Sequence, residues 1–233
     1  MRRNAVITGG SRGIGNAIAQ VLDERGWNLF LVSEDASRLT SATLKIKNVI
    51  GSVAVDLGSG EAAAQTVENA LRAVTDSLDL LVLNAGIFVE ESLANVESSN
   101  LRRNMAVNLE ANIFLVKHLL RYLLNGRHPR IIIIGSVAAY EAYPLGPVYG
   151  IAKWALRGFA VNLRRELMEE DIGITLISPG GTLTDMWAGE DLPPARLLDP
   201  HDVATLVAAV TELSPQAVVD EIILRPIKGD VYD

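Results

Sequence analysis

Six short aliphatic runs punctuate this chain, and longer segments with helical spacing of apolar residues separate them. Ala5 to Thr8, Leu29 to Val32, Val49 to Val55, Leu80 to Leu83, Ile131 to Ile134 and Ile174 to Ile177 read as strands. Asn16 to Arg25, Glu61 to Thr75, Leu101 to Leu124 and Val148 to Glu170 read as helices, and a helix over Asp202 to Leu213 and a strand over Glu221 to Leu224 close the series. A strand that is apolar along its whole length offers no face to water, so it belongs in a parallel sheet with helices on both sides. The pattern predicts an α/β fold with a doubly wound parallel sheet, three layers deep (α/β/α). At 233 residues, 49% of them hydrophobic, the chain has the material for one large core, and a single domain over residues 1–233 is expected.

Composition removes several functions. A formal net charge of -7 speaks against a nucleic-acid surface, which needs clustered positive charge. With no cysteine, disulfides, thiolate catalysis and thiolate-bound metals are impossible. The three histidines, His118, His128 and His201, stand apart without carboxylates at ligand spacing, so no metal site is expected. Arg2 and Arg3 precede an apolar stretch, Ala5 to Ile7, too short for an export signal. Ile131 to Ile134 is far below the roughly 20 residues of a membrane span. These readings predict a cytoplasmic protein whose partners are small molecules or other protein chains, with no nucleic acid and no membrane. The stretch from Asp185 to Pro200, with its Leu192-Pro193-Pro194, breaks the alternation and is a candidate substrate lid over residues 185–200.

Directly after the first strand the chain reads Thr8-Gly9-Gly10-Ser11-Arg12-Gly13-Ile14-Gly15, and a helix opens at once. Glycines allow a tight turn and let a diphosphate approach the amide N–H groups of a helix N-terminus. Placed at the head of a βαβ series, the pattern indicates a dinucleotide site. About twenty residues on, Glu34 and Asp35 follow the second strand, where a carboxylate accepts both ribose hydroxyls and repels a 2′-phosphate; this favours NAD. Arg12, inside the glycine loop, favours NADP. The two signals leave the choice of NADP or NAD open.

The segment "YGIAK" holds Tyr149 and Lys153 four residues apart. Four residues of helix turn through about 400°, so both side chains rise from one face. Bringing a tyrosine from its reference pKa towards 7 needs about 4 kcal/mol of preference for phenolate, part of which an ammonium can supply. Gly135-Ser136 ends the strand Ile131 to Ile134, at the edge of a parallel sheet where ligands bind, so Ser136 can bond the same substrate oxygen that Tyr149 protonates.

Together these residues resemble the short-chain dehydrogenase/reductase family from about Asn4 to Asp185. Its motif Thr-Gly-x-x-x-Gly-x-Gly matches Thr8 to Gly15, and Asn-Ala-Gly matches Asn84-Ala85-Gly86. The family's asparagine matches Asn108, its serine Ser136, its Tyr-x-x-x-Lys Tyr149 and Lys153, and its Pro-Gly motif with a later threonine Pro179, Gly180 and Thr184. The resemblance implies a Rossmann-type oxidoreductase that interconverts a carbonyl and a secondary alcohol with NAD(P)(H). Tyr149 is then the general acid or base, Ser136 polarises the carbonyl, Lys153 lowers the tyrosine pKa and holds the nicotinamide ribose, and Asn108 positions a water of a proton relay. It also implies cofactor contacts at Gly9, Ser11, Arg12, Gly13, Ile14 and Gly15, at Glu34, Asp56 and Leu57, and at Asn84, Ala85 and Gly86. Tyr149 and Lys153 join these, with Pro179, Gly180, Thr182 and Thr184.

The chain also departs from the family's pattern. Glu34 stands where many NADP-preferring members carry arginine, and Ser33 where NAD-preferring members carry aspartate. The ending "EIILRPIKGDVYD" lacks the glycine-rich terminus of the acyl-carrier-protein ketoreductase branch. Tyr143 and Trp187 are candidate substrate contacts, and Trp154 a core or interface residue. The resemblance implies a homodimer or homotetramer packed through the helices 101–124 and 148–170. A catalytically silent redox sensor with the same fold is the alternative, which the set Ser136, Tyr149, Lys153 and Asn108 disfavours.

Overall fold

The computed structural model describes residues 2–143, 146–187 and 192–231. Strands β1 (Asn4–Thr8), β2 (Asn28–Ser33), β3 (Val49–Ala54), β4 (Leu80–Leu83), β5 (Arg130–Ile134), β6 (Gly173–Pro179) and β7 (Glu221–Leu224) form one sheet in the order β3-β2-β1-β4-β5-β6-β7. All neighbouring strands run parallel. Helices α1 (Gly13–Glu24), α2 (Ala36–Thr43), α3 (Glu61–Arg72), α4 (Ser98–Met105), α5 (Ala111–Leu124), α6 (Pro147–Leu167) and α7 (Pro200–Thr211) connect them.

The period of two along the strands divides the core into two layers. Val6, Phe30, Leu81, Ile131 and Ile133 pack with α3, α5 and α6, whereas Ile7, Leu31, Val82 and Ile132 pack with α1 and α7. This is the three-layer arrangement expected from the aliphatic runs. Strand order reverses between β1 and β4, and in such sheets ligands bind beyond the carboxyl ends at the point of reversal.

Two elements differ from the sequence reading. Helix α2 went unanticipated because its sequence, "ASRLTSAT", buries only Leu39 and Ala42; Asp35 supports it as N-cap, accepting from the Ser37 and Arg38 backbone N–H at 2.9 and 3.0 Å. The helix expected over Leu101 to Leu124 is α4 and α5 joined by one π-helical turn, Ala106–Glu110. Of the expected lid, residues 188–191 lie outside the described residues. Asp185–Trp187 and Pro194–Arg196 are short 3-10 turns, and Thr182 bridges Leu198.

Helix α1 starts as close to β1 as backbone allows. At Gly15 an added Cβ would stand 2.2 Å from the Gly9 carbonyl oxygen, and Gly9 itself has φ +67°, a region that disfavours side chains. Gly15→Ala is therefore expected to cost at least about 2 kcal/mol of stability by urea unfolding; a parental midpoint would contradict this packing.

Candidate active site

A cavity of about 510 Å³ opens along the carboxyl edge of the sheet, lined by the exits of β1 through β6. Its walls include Gly9, Ser11, Arg12, Gly13 and Ile14 after β1, Ser33 and Glu34 at β2, and Asp56 and Leu57 after β3. Asn84, Ala85 and Gly86 follow β4, Ser136 follows β5, Tyr149 and Lys153 rise from α6, and Pro179, Gly180, Thr182 and Thr184 complete the wall beyond β6. Of the expected site residues, Gly15 and Asn108 do not line it.

The glycine turn is laced to the exit of β4. The buried Thr8 hydroxyl accepts from the Asn84 and Ala85 backbone N–H at 2.9 and 3.0 Å, and Asn84 Nδ2 donates to the Thr8 carbonyl at 2.8 Å. Arg12 is the extended N-cap of α1 and makes no side-chain cap bond, so the first N–H groups of the helix are left to the cavity. Gly13 has φ +53°, and a Cβ there would meet the Thr184 methyl at 3.1 Å. A tight, side-chain-free cradle at a helix N-terminus fits the diphosphate of a dinucleotide.

At the end of the cavity beyond β2 and β3 the charges are paired in ways no local sequence signal shows. Arg103, from α4, donates to Asp56 Oδ1 at 2.6 Å and to Glu34 Oε1 at 3.2 Å. Glu34 is thus not an isolated carboxylate, and Asp35 caps α2 through its Oδ1. Asp56 also accepts from the Gly58 backbone N–H at 2.8 Å, so it shapes the turn after β3. Arg12 and Arg38 both contact Asp185 Oδ2, at 2.9 and 2.7 Å, and this holds the Asp185 carboxyl below its usual range. Arg38, Arg103 and Asp185 were missed because their partners lie 47 to 173 residues away in sequence.

The other end is buried and aromatic. Tyr149, Tyr143 and Phe88 pack as a cluster, with ring centroids 5.3 Å apart for Phe88 and Tyr149 and 5.7 Å for the other two pairs. An alanine at Gly146 would set its Cβ 2.8 Å from Phe88 and 3.1 Å from Tyr143, so the glycine admits both rings at the start of α6. Tyr143 and Trp187 both border the cavity, as does Met186; Trp154 is half exposed on α6 and outside it.

Ser136 caps the 3-10 turn Val137–Ala139, its hydroxyl accepting from the Ala138 N–H at 3.2 Å. Burial pushes the Tyr149 phenol up, and the Ser136 hydroxyl bonded to it pulls the other way. Lys153 lies one turn along, its ammonium 5.5 Å from the Tyr149 ring centroid, with one long bond to the Ile134 carbonyl at 3.4 Å. Desolvation is the largest influence on both groups, raising the phenol and taking Lys153 from 10.5 to about 8. Asn108, fully buried in the π turn, spends its amide on the protein. It donates to the Ile87 carbonyl at 2.9 Å and to Asn104 Oδ1 at 2.7 Å, and it accepts from the Ile87 N–H at 3.1 Å. Its own carbonyl accepts from Asn112 Nδ2 at 2.9 Å. The side chain anchors the segment beside Gly86, where an added Cβ would lie 2.8 Å from Asn108 Oδ1 and 3.6 Å from Lys153 Nζ; both amide N–H groups are used on these contacts, while each of its carbonyl oxygens keeps a second lone pair.

The Lys153 shift has a consequence for stability. Below pH 8 the group is protonated folded and unfolded, and burying the ammonium costs about 3 kcal/mol. Between about 8 and 10.5 the unfolded chain holds more protons, so this cost fades as pH rises. Lys153→Met is expected to be more stable than the parent in urea by up to about 3 kcal/mol at pH 7, with the gap narrowing by pH 10. A gap that grows with pH would contradict the burial of an unpaired ammonium.

Comparison with known proteins agrees with this geometry. The family model described as short chain dehydrogenase matches residues 3–193. A 3-oxoacyl-acyl-carrier-protein reductase of Vibrio cholerae is 30% identical over 226 residues, spanning 91% of this chain and 90% of that protein. A short chain dehydrogenase from Burkholderia cenocepacia, solved in complex with NADP, superposes with a TM-score of 0.87 at 28% identity over 96% of each chain. An NADP active-site complex from Pseudomonas aeruginosa gives 0.90 at 27% identity over 97% of this chain and 95% of that one. The cavity, the laced glycine turn and the buried Ser136, Tyr149 and Lys153 are thus those of a nicotinamide-dependent oxidoreductase, and the chain belongs to the short chain dehydrogenase family.

Proposed function

We propose that this oxidoreductase reduces a small-molecule ketone to a secondary alcohol with NADPH, Tyr149 delivering the proton. The observation that carries the reading is the meeting of Tyr149, Ser136 and Lys153 in one buried pocket at the strand edge. A phenol raised by burial keeps its proton at neutral pH, which suits it to protonate a developing alkoxide. Ser136 donates to the same oxygen and fixes its place. Lys153, near 8, can hold or release a proton close to neutral pH, so it serves to restore the one Tyr149 gives up. Asn108 keeps the Gly86–Ile87 backbone in register with Lys153. The bound nicotinamide supplies the hydride.

Preference for NADP is supported by Arg12 at the rim and Arg38, which shares Asp185 with it, and by Arg103 on Glu34, which offsets part of the negative charge that would repel a 2′-phosphate. The similar structures from Burkholderia cenocepacia and Pseudomonas aeruginosa were both solved with NADP. Asp185–Trp187 covers the substrate end in this reading, since Met186 and Trp187 border it. Ile151, Trp154 and Val161, all at least half exposed on one stripe of α6, together with Ile113 on α5, are proposed as the face of a homo-oligomer. A silent redox sensor gains no support, because a sensor has no use for a buried tyrosine, serine and lysine in contact.

Two outcomes follow. Tyr149→Phe should abolish turnover in a panel of neutral ketones while cofactor affinity stays within about threefold, as read by nucleotide fluorescence; comparable turnover would sink the mechanism. Arg38→Ala should weaken NADPH binding about tenfold, the worth of one charge-assisted bond, and leave NADH within about twofold. Equal losses for both would count against a phosphate contact.

A further inference from the structure

Two guanidinium groups from distant parts of the chain meet on one oxygen. Arg12 Nη1 and Arg38 Nη1 lie 2.9 and 2.7 Å from Asp185 Oδ2. Arg12 belongs to the glycine turn and Arg38 to the first turn of α2, so they flank the exits of β1 and β2, where the cradle leads to the adenosine ribose. Asp185 comes from the far side of the cavity, directly after Thr184, whose methyl packs on Gly13. The cluster is not balanced: two cations share a single carboxylate there, while Asp35 is engaged with backbone N–H groups and reaches Arg38 Nε only at 3.5 Å. Two convergent guanidinium forks match a dianionic phosphate better than one carboxylate.

We propose that Asp185 is an internal competitor for the cofactor's 2′-phosphate, holding Arg12 and Arg38 until that phosphate displaces it, and that it thereby sets how strongly the site prefers NADPH over NADH. The inference rests on the NADP reading above. All three side chains are about half exposed, at 59% for Arg12, 49% for Arg38 and 52% for Asp185. Exchange therefore needs only side-chain rotation in water and no opening of the core. NADH has no group to draw the arginines away, so Asp185 stays bound to them beneath it. NADPH does, and the freed carboxylate must swing from the new phosphate, because like charges this close repel. Asp185 is also the first residue of the turn Asp185–Trp187, whose Met186 and Trp187 border the same cavity. Which cofactor is bound therefore decides whether that turn is tethered to the glycine loop.

The test is a titration of Asp185→Asn with NADPH and with NADH, followed by nucleotide fluorescence against the parent. Each exposed ion pair shifts an equilibrium by at most about fivefold. Removing the competitor from two arginines should tighten NADPH by about three- to tenfold and leave NADH within about twofold. NADPH affinity that is unchanged or weaker would mean Asp185 only orients the guanidinium groups, and equal tightening of NADH would mean simple relief of negative charge; either overturns the proposal. Arg38→Ala in the same titration separates this from failure of the NADP reading. If that change leaves NADPH affinity intact, the phosphate contact itself is absent.

Discussion

The structure depends on a sheet whose seven strands all run one way and whose inner strands are buried on both faces. Parallel strands return through helices, so every carboxyl end falls on one edge and no hairpin closes that edge off. The exits of β1 to β6 then line a single cavity without any element being built for that purpose. The close approach of Gly15 to Gly9 fixes α1 on this edge, and the Thr8 hydroxyl ties its turn to Asn84 and Ala85 across β4. Residues from six loops can therefore share one ligand because a rigid scaffold has brought them together.

The two ends of that cavity have opposite physics. Arg12, Arg103, Glu34, Asp56 and Asp185 stand around the rim that faces water, with Arg38 bonded to Asp185 behind them, and charge there can be exchanged at small cost. Around Tyr149 the walls are Phe88, Tyr143, Val137 and Ile87, and the ionisable groups lose their water. Desolvation pushes the phenol up and Lys153 down, which draws both towards their neutral forms and towards easy proton traffic between them. A charged rim suits a nucleotide, and a dry aromatic floor suits the reduction of an apolar carbonyl.

Much of this was legible in the sequence for physical reasons. Aliphatic runs have no alternative to burial, so six of the seven strands fell within a residue or two of the observed ends, and the terminal strand Glu221–Leu224 matched. Tyr149 and Lys153 share a face because helix geometry is local. What escaped was decided by distant partners. Helix α2 is held by the Asp35 cap and by two buried side chains, too weak a stripe to read. The pairing of Glu34 with Arg103, 69 residues away, and the contacts of Asp185 with Arg12 and Arg38 exist only in three dimensions. Asn108 sits close to Lys153 beside Gly86, and its bonds to Ile87 are long-range contacts that no local signal shows.

The central claim is that hydride and proton reach a carbonyl in this cavity, and isotope transfer tests it most directly. The protein is incubated with NADPH deuterated at the transferable C4 position and a neutral aromatic ketone, and the product is analysed by mass spectrometry. The account predicts an alcohol carrying one deuterium on the former carbonyl carbon, with NADP formed in equal amount. Unlabelled alcohol, or cofactor consumed without alcohol formed, would contradict it.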